Sequence, residues 1–215
     1  MHRAAFFDMD KTLLRVDTAM SWTQFLYARG EIGKRTLAKA LYWSTLYKLS
    51  ILDMDTVFRR LAEELRGDLE AEMIAKAELW YRDHVEPEIA LAARVAIEHH
   101  RQAGDVIVLA TGSTQYAARP VARAMGIDHV LSSELEVEDG AFTGRARPCF
   151  GTHKVSLAER WAVEHDIDLA RSTFYSDSYN DRPMLERVGT AIAVNPDARL
   201  RRLARQRGWR VQQWA

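Results

Sequence analysis

Four short apolar runs, each ending in a polar loop and each set off by helical sequence, constrain the fold of this chain more than any other feature. Ala4 to Phe7 leads into Asp8-Met9-Asp10-Lys11-Thr12, and Val106 to Ala110 leads into Thr111-Gly112-Ser113. Thr173 to Ser176 leads into Asp177, and Ala191 to Val194 leads into Asn195-Pro196. Runs of this length without a polar face suit strands covered on both sides. Apolar periodicity predicts helices over roughly 88 to 103, 114 to 125, 153 to 165, 181 to 187 and 197 to 207. Strands alternating with helices predict an α/β fold, a Rossmann-like parallel sheet flanked by helices and joined by right-handed crossovers. Such a sheet binds its ligands beyond the carboxyl ends of its strands, and the polar loops stand at those ends.

Residues 16 to 87 break the alternation. They hold no strand pattern, and apolar residues recur at three- and four-residue spacing, as in Trp22, Phe25 and Leu26 or Leu61 and Leu65. The expected organisation is a core of 1–15 and 88–215 with an all-helical insertion, 16–87, after the first strand. Asp139-Gly140, between Leu135-Glu136-Val137 and Phe142-Thr143, predicts a tight hairpin. With 30 Lys plus Arg against 30 Asp plus Glu, the formal net charge is zero, so no global field draws in nucleic acid or anionic lipid. The one cysteine, Cys149, forms no internal disulfide and suits a reducing compartment and plain packing. Ala4 to Phe7 is too short for a signal-peptide core or a membrane span. These features read as a cytoplasmic protein with no membrane span and no nucleic-acid partner.

The chemistry must then be local. Asp8 and Asp10 lie two residues apart, a spacing that turns both carboxylates the same way in extended chain, so one can act as nucleophile and the other as general acid and base. Taken alone the pair could equally be a loop or a cap. Thr111 and Gly112 offer a hydroxyl and an amide where strand gives way to helix, a place that favours phosphate, or else an ordinary N-cap. Lys154 near a helix start opposes the dipole unless an anion partners it. Asp177 and Asp181 flank Asn180 after another buried strand, and hard oxygen donors with no Cys/His cluster suit Mg²⁺. His99 and His100 point opposite ways along a surface helix and suggest no metal.

Taken in order, these motifs resemble the haloacid dehalogenase superfamily of aspartate-nucleophile phosphatases, over nearly the whole chain. The first motif is Asp8-Met9-Asp10-Lys11-Thr12, the second Thr111, the third Lys154 and the fourth Asp177 with Asp181. The helical insertion resembles the cap of the phosphoserine phosphatase-like branch. Lys11 departs from the pattern, where glycine is commoner. The resemblance implies that Asp8 is the nucleophile and Asp10 the general acid and base, with Thr111, Gly112 and Lys154 on the phosphoryl oxygens. It also implies Mg²⁺ on the side chains of Asp8 and Asp177 and the carbonyl of Asp10, with Asp181 supporting the shell and Asn180 beside it as a candidate substrate-binding residue.

Electrostatics points the same way. Asp8, Asp10, Asp177 and Asp181 against Lys154 sum to minus three, and at about 4 Å and an effective dielectric near 20 each unit pair costs roughly 4 kcal/mol. An anionic Asp8 facing a phosphate dianion would cost on the order of 8 kcal/mol, which calls for a divalent cation. The expected substrate is a small phosphorylated metabolite. Asp17, nine residues after Asp8, sits at the offset where phosphoserine phosphatases place the acid that meets a substrate amine, which would suit phosphoserine or histidinol phosphate; it equally suits a cap for the helix from Thr18. The aromatics Trp22, Tyr42, Trp43, Tyr47, Trp80 and Tyr81 read as cap core, and Arg59 and Arg60 as solvated surface. Rival readings are a phosphotransferase with the same aspartyl-phosphate, or a non-catalytic module touching a membrane through Thr36 to Met54 or RNA through the basic run 199–207.

Overall fold

β1 (Ala4–Phe7) is buried at every residue, which is possible only for a strand with neighbours on both edges and layers on both faces. The computed structural model, which describes residues 1–48 and 54–214, gives it that place. The other strands are β2 (Val106–Thr114), β3 (His129–Glu138), β4 (Ala141–Arg147), β5 (Thr173–Ser176), β6 (Thr190–Val194) and β7 (Arg210–Gln212). They lie in the order β4-β3-β2-β1-β5-β6-β7, and every pairing is parallel except β3 with β4. Phe7 stands level with Leu109 on β2 and Tyr175 on β5, so Asp8 and Asp177 leave the sheet side by side at the end where β2 carries Thr111.

Alternation along β1 assigns the two faces. Ala5 and Phe7 pack with α5 (Leu91–Gln102) and α6 (Gln115–Met125) through Ala93, Ile97, Ala118 and Val121. Ala4 and Phe6 pack with α7 (Thr152–Glu164), α8 (Arg182–Arg187) and α9 (Ala198–Arg207) through Ala158, Trp161, Met184 and Leu200. Helices on both sides of a mostly parallel sheet are the architecture expected from the sequence.

Between β1 and α5 lie α1 (Thr18–Ala28), α2 (Lys34–Lys48), α3 (Met54–Glu64) and α4 (Glu70–Trp80). The chain leaves and re-enters the sheet layer along adjacent paths: Leu14 bridges Ile89, and the Ala90 N–H donates to Leu13 O at 2.9 Å. The inserted helices share buried clusters with the sheet layer. Phe25 and Trp80 join the α5–α6 side, and Phe58, Ala62 and Ala77 close over Tyr116, Leu135 and Phe142. The β3–β4 hairpin turns on Asp139 (φ 51°) and Gly140 (φ 78°), positive angles that its sequence foretells, and it docks under α3 and α4 through Gly67 N–H to Phe142 O and Glu70 N–H to Gly140 O, both 2.9 Å.

Several details depart from the sequence reading. β2 does not stop at Ala110 but runs on to Thr114, with a register shift against β3 between Ala110 and Thr114. β7 has no strand-like apolar run, and its pairing with β6 alone makes it a strand. Tyr42 is not cap core: it is 62% exposed, while Trp80 and Tyr81 are buried. His100 is not a surface residue; it is buried with Nδ1 2.7 Å from Asp105 Oδ2 and Nε2 2.8 Å from Tyr175 Oη. The side chain of Tyr47, and residues 49–53 of the amphipathic stretch, lie outside the described residues. Leu200 and Ala204 of the basic run pack inward. Among the described residues no helix is long and apolar enough to cross a membrane.

Candidate active site

Lys154 is the least ordinary residue of the site: a lysine only 2% exposed, in the first turn of α7. Its Nζ lies 2.9 Å from Asp8 Oδ1 and 2.7 and 2.8 Å from the two oxygens of Asp181. Burial works against the ammonium, but Asp181 and Asp8 hold its proton more tightly than usual. The anion partner that the helix dipole calls for is thus a pair of carboxylates. Ser176, at the end of β5, donates to Asp181 Oδ2 at 2.7 Å, so both Asp181 oxygens are occupied. Asp8 itself is pushed up to about 7 by burial, with Lys154 opposing and Asp181 and Asp10 adding to the rise.

Asp10 is held from two distant parts of the chain. Thr18 N–H, at the start of α1, donates to Oδ1 at 2.6 Å, and Ser113 Oγ–H donates to Oδ2 at 2.8 Å. Thr18 and Ser113 also share a hydroxyl–hydroxyl bond of 2.8 Å. Burial raises the Asp10 carboxyl and the charge of Asp17 adds to it, against the hydrogen bonds from Thr18 and Ser113. A carboxyl that holds its proton more tightly than usual is suited to give and take one. Sequence reasoning missed Ser113 and Thr18 in this role; only the offset of Ser113 from Thr111 hinted at it.

Burial, with the charge of Asp8 adding to it, lifts the Asp177 carboxyl well above its ordinary value while Lys11 opposes. Lys11 has φ 54°, the left-handed region, at a cost of roughly 1–2 kcal/mol for any residue but glycine. Its Nζ lies 3.2 Å from Asp17 Oδ2. Burial works against that ammonium too, but Asp17 and Asp177 raise it above its ordinary value. Asp17 uses its other oxygen to cap α1, accepting from Met20 N–H at 3.2 Å. Arg59 and Arg60 are exposed.

Thr111 is fully buried, and its hydroxyl accepts from Ser113 N–H at 3.1 Å. Because β2 continues past it, Thr111 and Gly112 do not sit at the start of α6; Thr114 takes the N-cap position and makes no side-chain cap. Ser133 of β3 shapes the loop instead, donating to Gly112 O at 2.8 Å and accepting from Cys149 N–H at 2.9 Å. Cys149 packs beneath, its thiol pushed up to about 12 by burial and so unreactive. Asn180 stands on the short turn Tyr179–Asp181, its N–H donating to Ser178 Oγ at 3.2 Å.

The donor chemistry fits a divalent cation. Lys11 and Asp17 cancel, so the formal charges of Asp8, Asp10, Asp177 and Asp181 against Lys154 still leave minus three, an excess of negative charge that, besides burial, lies behind the raised carboxyls. Among the described residues no three His, Cys, Asp or Glu side chains gather to hold a metal by themselves. Mg²⁺ needs only one or two carboxylates and keeps several waters, a demand that Asp8, Asp177 and the main-chain oxygen of Asp10 match.

Residues 5–186 match the haloacid dehalogenase-like hydrolase family, a span that includes every residue described above from Asp8 to Asp181. The chain is 36% identical to phosphoserine phosphatase SerB1 of Mycobacterium tuberculosis, over 97% of this chain and 70% of that protein. It is 29% identical to histidinol-phosphatase of Neisseria meningitidis serogroup C, over 98% of each. A solved structure of a protein of unknown function from Bordetella pertussis Tohama I matches with a TM-score of 0.86 at 33% identity, over 99% of this chain and 98% of that one. With a parallel sheet that gathers Asp8, Thr111, Lys154 and Asp177 at one end and helices inserted after its first strand, the chain belongs to the haloacid dehalogenase-like hydrolases, on their phosphoserine phosphatase-like branch of phosphatases.

Proposed function

We propose that this protein is a Mg²⁺-dependent phosphatase that hydrolyses a small phosphate monoester through an aspartyl-phosphate on Asp8, with 16–87 as a cap on the core of 1–15 and 88–215. The observation that carries the reading is the buried Asp8–Lys154–Asp181 cluster beside an Asp10 gripped by Thr18 and Ser113. Lys154 neutralises Asp8 and draws the phosphoryl oxygens toward it, while Thr111 and the Gly112 N–H take the remaining oxygens. Asp8 attacks phosphorus and the bond to the leaving oxygen breaks; Asp10 gives that oxygen its proton. Asp10 then takes a proton from water, which attacks the aspartyl-phosphate and frees Asp8 and inorganic phosphate. Held by Asp8, Asp177 and the Asp10 carbonyl, Mg²⁺ would supply the positive charge that lets an anionic nucleophile meet an anionic phosphate.

The substrate class is an amino-bearing ester such as phosphoserine or histidinol phosphate, the substrates named for two relatives. In this reading Asp17 meets the amine, supported by its part-exposed carboxylate beside Lys11. The test is Asp8→Asn, assayed by phosphate release with Mg²⁺ on a panel of phosphorylated metabolites. Turnover is expected to fall on the order of a thousandfold or more with circular dichroism unchanged. Retained turnover in that variant would contradict the assignment, and phosphate passed to an added alcohol would identify a phosphotransferase instead.

A further inference from the structure

Lys11 occupies a backbone conformation, φ 54° and ψ 8°, in which a side chain is a liability. Its main-chain contacts do not require a lysine. The N–H donates to Val16 O at 3.1 Å and the carbonyl accepts from Asn195 Nδ2 at 3.4 Å, bonds that glycine makes as well. A strained position that keeps its side chain points to a use for that side chain. The ammonium reaches Asp17 Oδ2 at 3.2 Å, and the two side chains are 38% and 29% exposed. Lys154, by contrast, is already shared between two carboxylates, Asp8 and Asp181. The Lys11–Asp17 pair therefore forms a plus–minus couple open to solvent next to Asp10, the group that must touch the leaving oxygen. A partly exposed ion pair is weak and opens readily. It opens without net loss of charge pairing to a ligand that brings both signs.

We propose that Lys11 is a specificity-determining residue whose ammonium receives a carboxylate on the leaving group while Asp17 receives its amine. A substrate with an amine alone would take Asp17 and leave Lys11 unpaired beside a second cation. One that also carries a carboxylate gives each member of the couple a new partner. This inference rests on the phosphatase reading above.

The experiment compares kcat/KM for O-phosphoserine with that for O-phosphoethanolamine, with p-nitrophenyl phosphate as reference, in the wild type, Lys11→Gln and Lys11→Arg. Thermal unfolding of each variant checks that it is folded. The wild type is expected to favour phosphoserine, Lys11→Gln to lower that preference about tenfold, equivalent to 1.4 kcal/mol, and Lys11→Arg to keep it near wild type. An unchanged ratio in Lys11→Gln, or an arginine variant as impaired as the glutamine one, overturns the proposal. A wild type that cleaves p-nitrophenyl phosphate yet shows no preference between the two amines overturns this inference alone. No phosphate released from any ester in the presence of Mg²⁺ overturns the phosphatase reading beneath it.

Discussion

Asp10 owes its proton affinity to a contest between burial, which raises it, and two hydrogen bonds, which lower it. Ser113→Ala removes the donor on Oδ2 and leaves the main-chain donor of Thr18 in place. The charged form loses support, so the limb of the kcat–pH profile on which Asp10 gives up its proton is expected to move to higher pH. The value of kcat at neutral pH should fall about tenfold, in line with one lost bond to a charged group. An unmoved limb would show that Asp10 is not the group titrating. Lys154 makes the opposite kind of case. Lys154→Met leaves Asp8 and Asp181 facing each other in a buried site, which costs about 3–5 kcal/mol. Calorimetry should find Tm lower by about 6–20 °C for a chain of this length.

At the scale of elements, the turn from α8 to β6 is tighter than its sequence suggests. A Cβ on Gly189 would lie 1.9 Å from the carbonyl oxygen of Ala170, a contact that only a backbone shift relieves. Gly189→Ala is expected to destabilise by about 3 kcal/mol or more, read as a lower midpoint in urea, and a midpoint unchanged from wild type would show that the turn gives way freely. Glycine content alone does not single out this position, because the clash comes from a segment nineteen residues away. The same limit explains the other misses. β1, β2, β5 and β6 were legible because a strand covered on both faces carries a short run of mostly apolar residues with no polar face. β7 was not, since its backbone pairing with β6 requires no particular side chains. The extension of β2 was hidden because Thr111 to Thr114 reads as a loop until Ser133 is placed opposite it.

For the molecule as a whole, the carboxylates set a pH dependence. Asp8, Asp10 and Asp177 all bind protons more tightly folded than unfolded, Asp8 up to about 7. Groups raised in this way favour the folded state at low pH and oppose it as pH climbs from the unfolded carboxyl range through the folded value. The metal-free protein is therefore expected to lose thermal stability between about pH 5 and pH 8. Millimolar Mg²⁺ should raise Tm more at pH 8 than at pH 5, because the ion competes with protons for the same oxygens. A metal-free Tm that rises over this range would refute the assignment of these three groups. The shared clusters Phe58–Tyr116–Phe142 and Phe25–Trp80 also tie the inserted helices to the sheet, so unfolding should show one cooperative transition rather than two.

By itself the sequence determined the alternation of apolar strands and amphipathic helices, and with it the parallel sheet and the end at which Asp8 and Asp177 emerge. Those follow from local period and burial, which neighbouring residues encode. Only the tertiary structure decided that Lys154 closes on both Asp8 and Asp181, that Ser113 and Thr18 hold Asp10, and that Lys11 leans on Asp17. Each of these contacts joins groups whose strength depends on how far water is excluded between them. That exclusion is a property of the assembled layers, which no stretch of the chain carries alone.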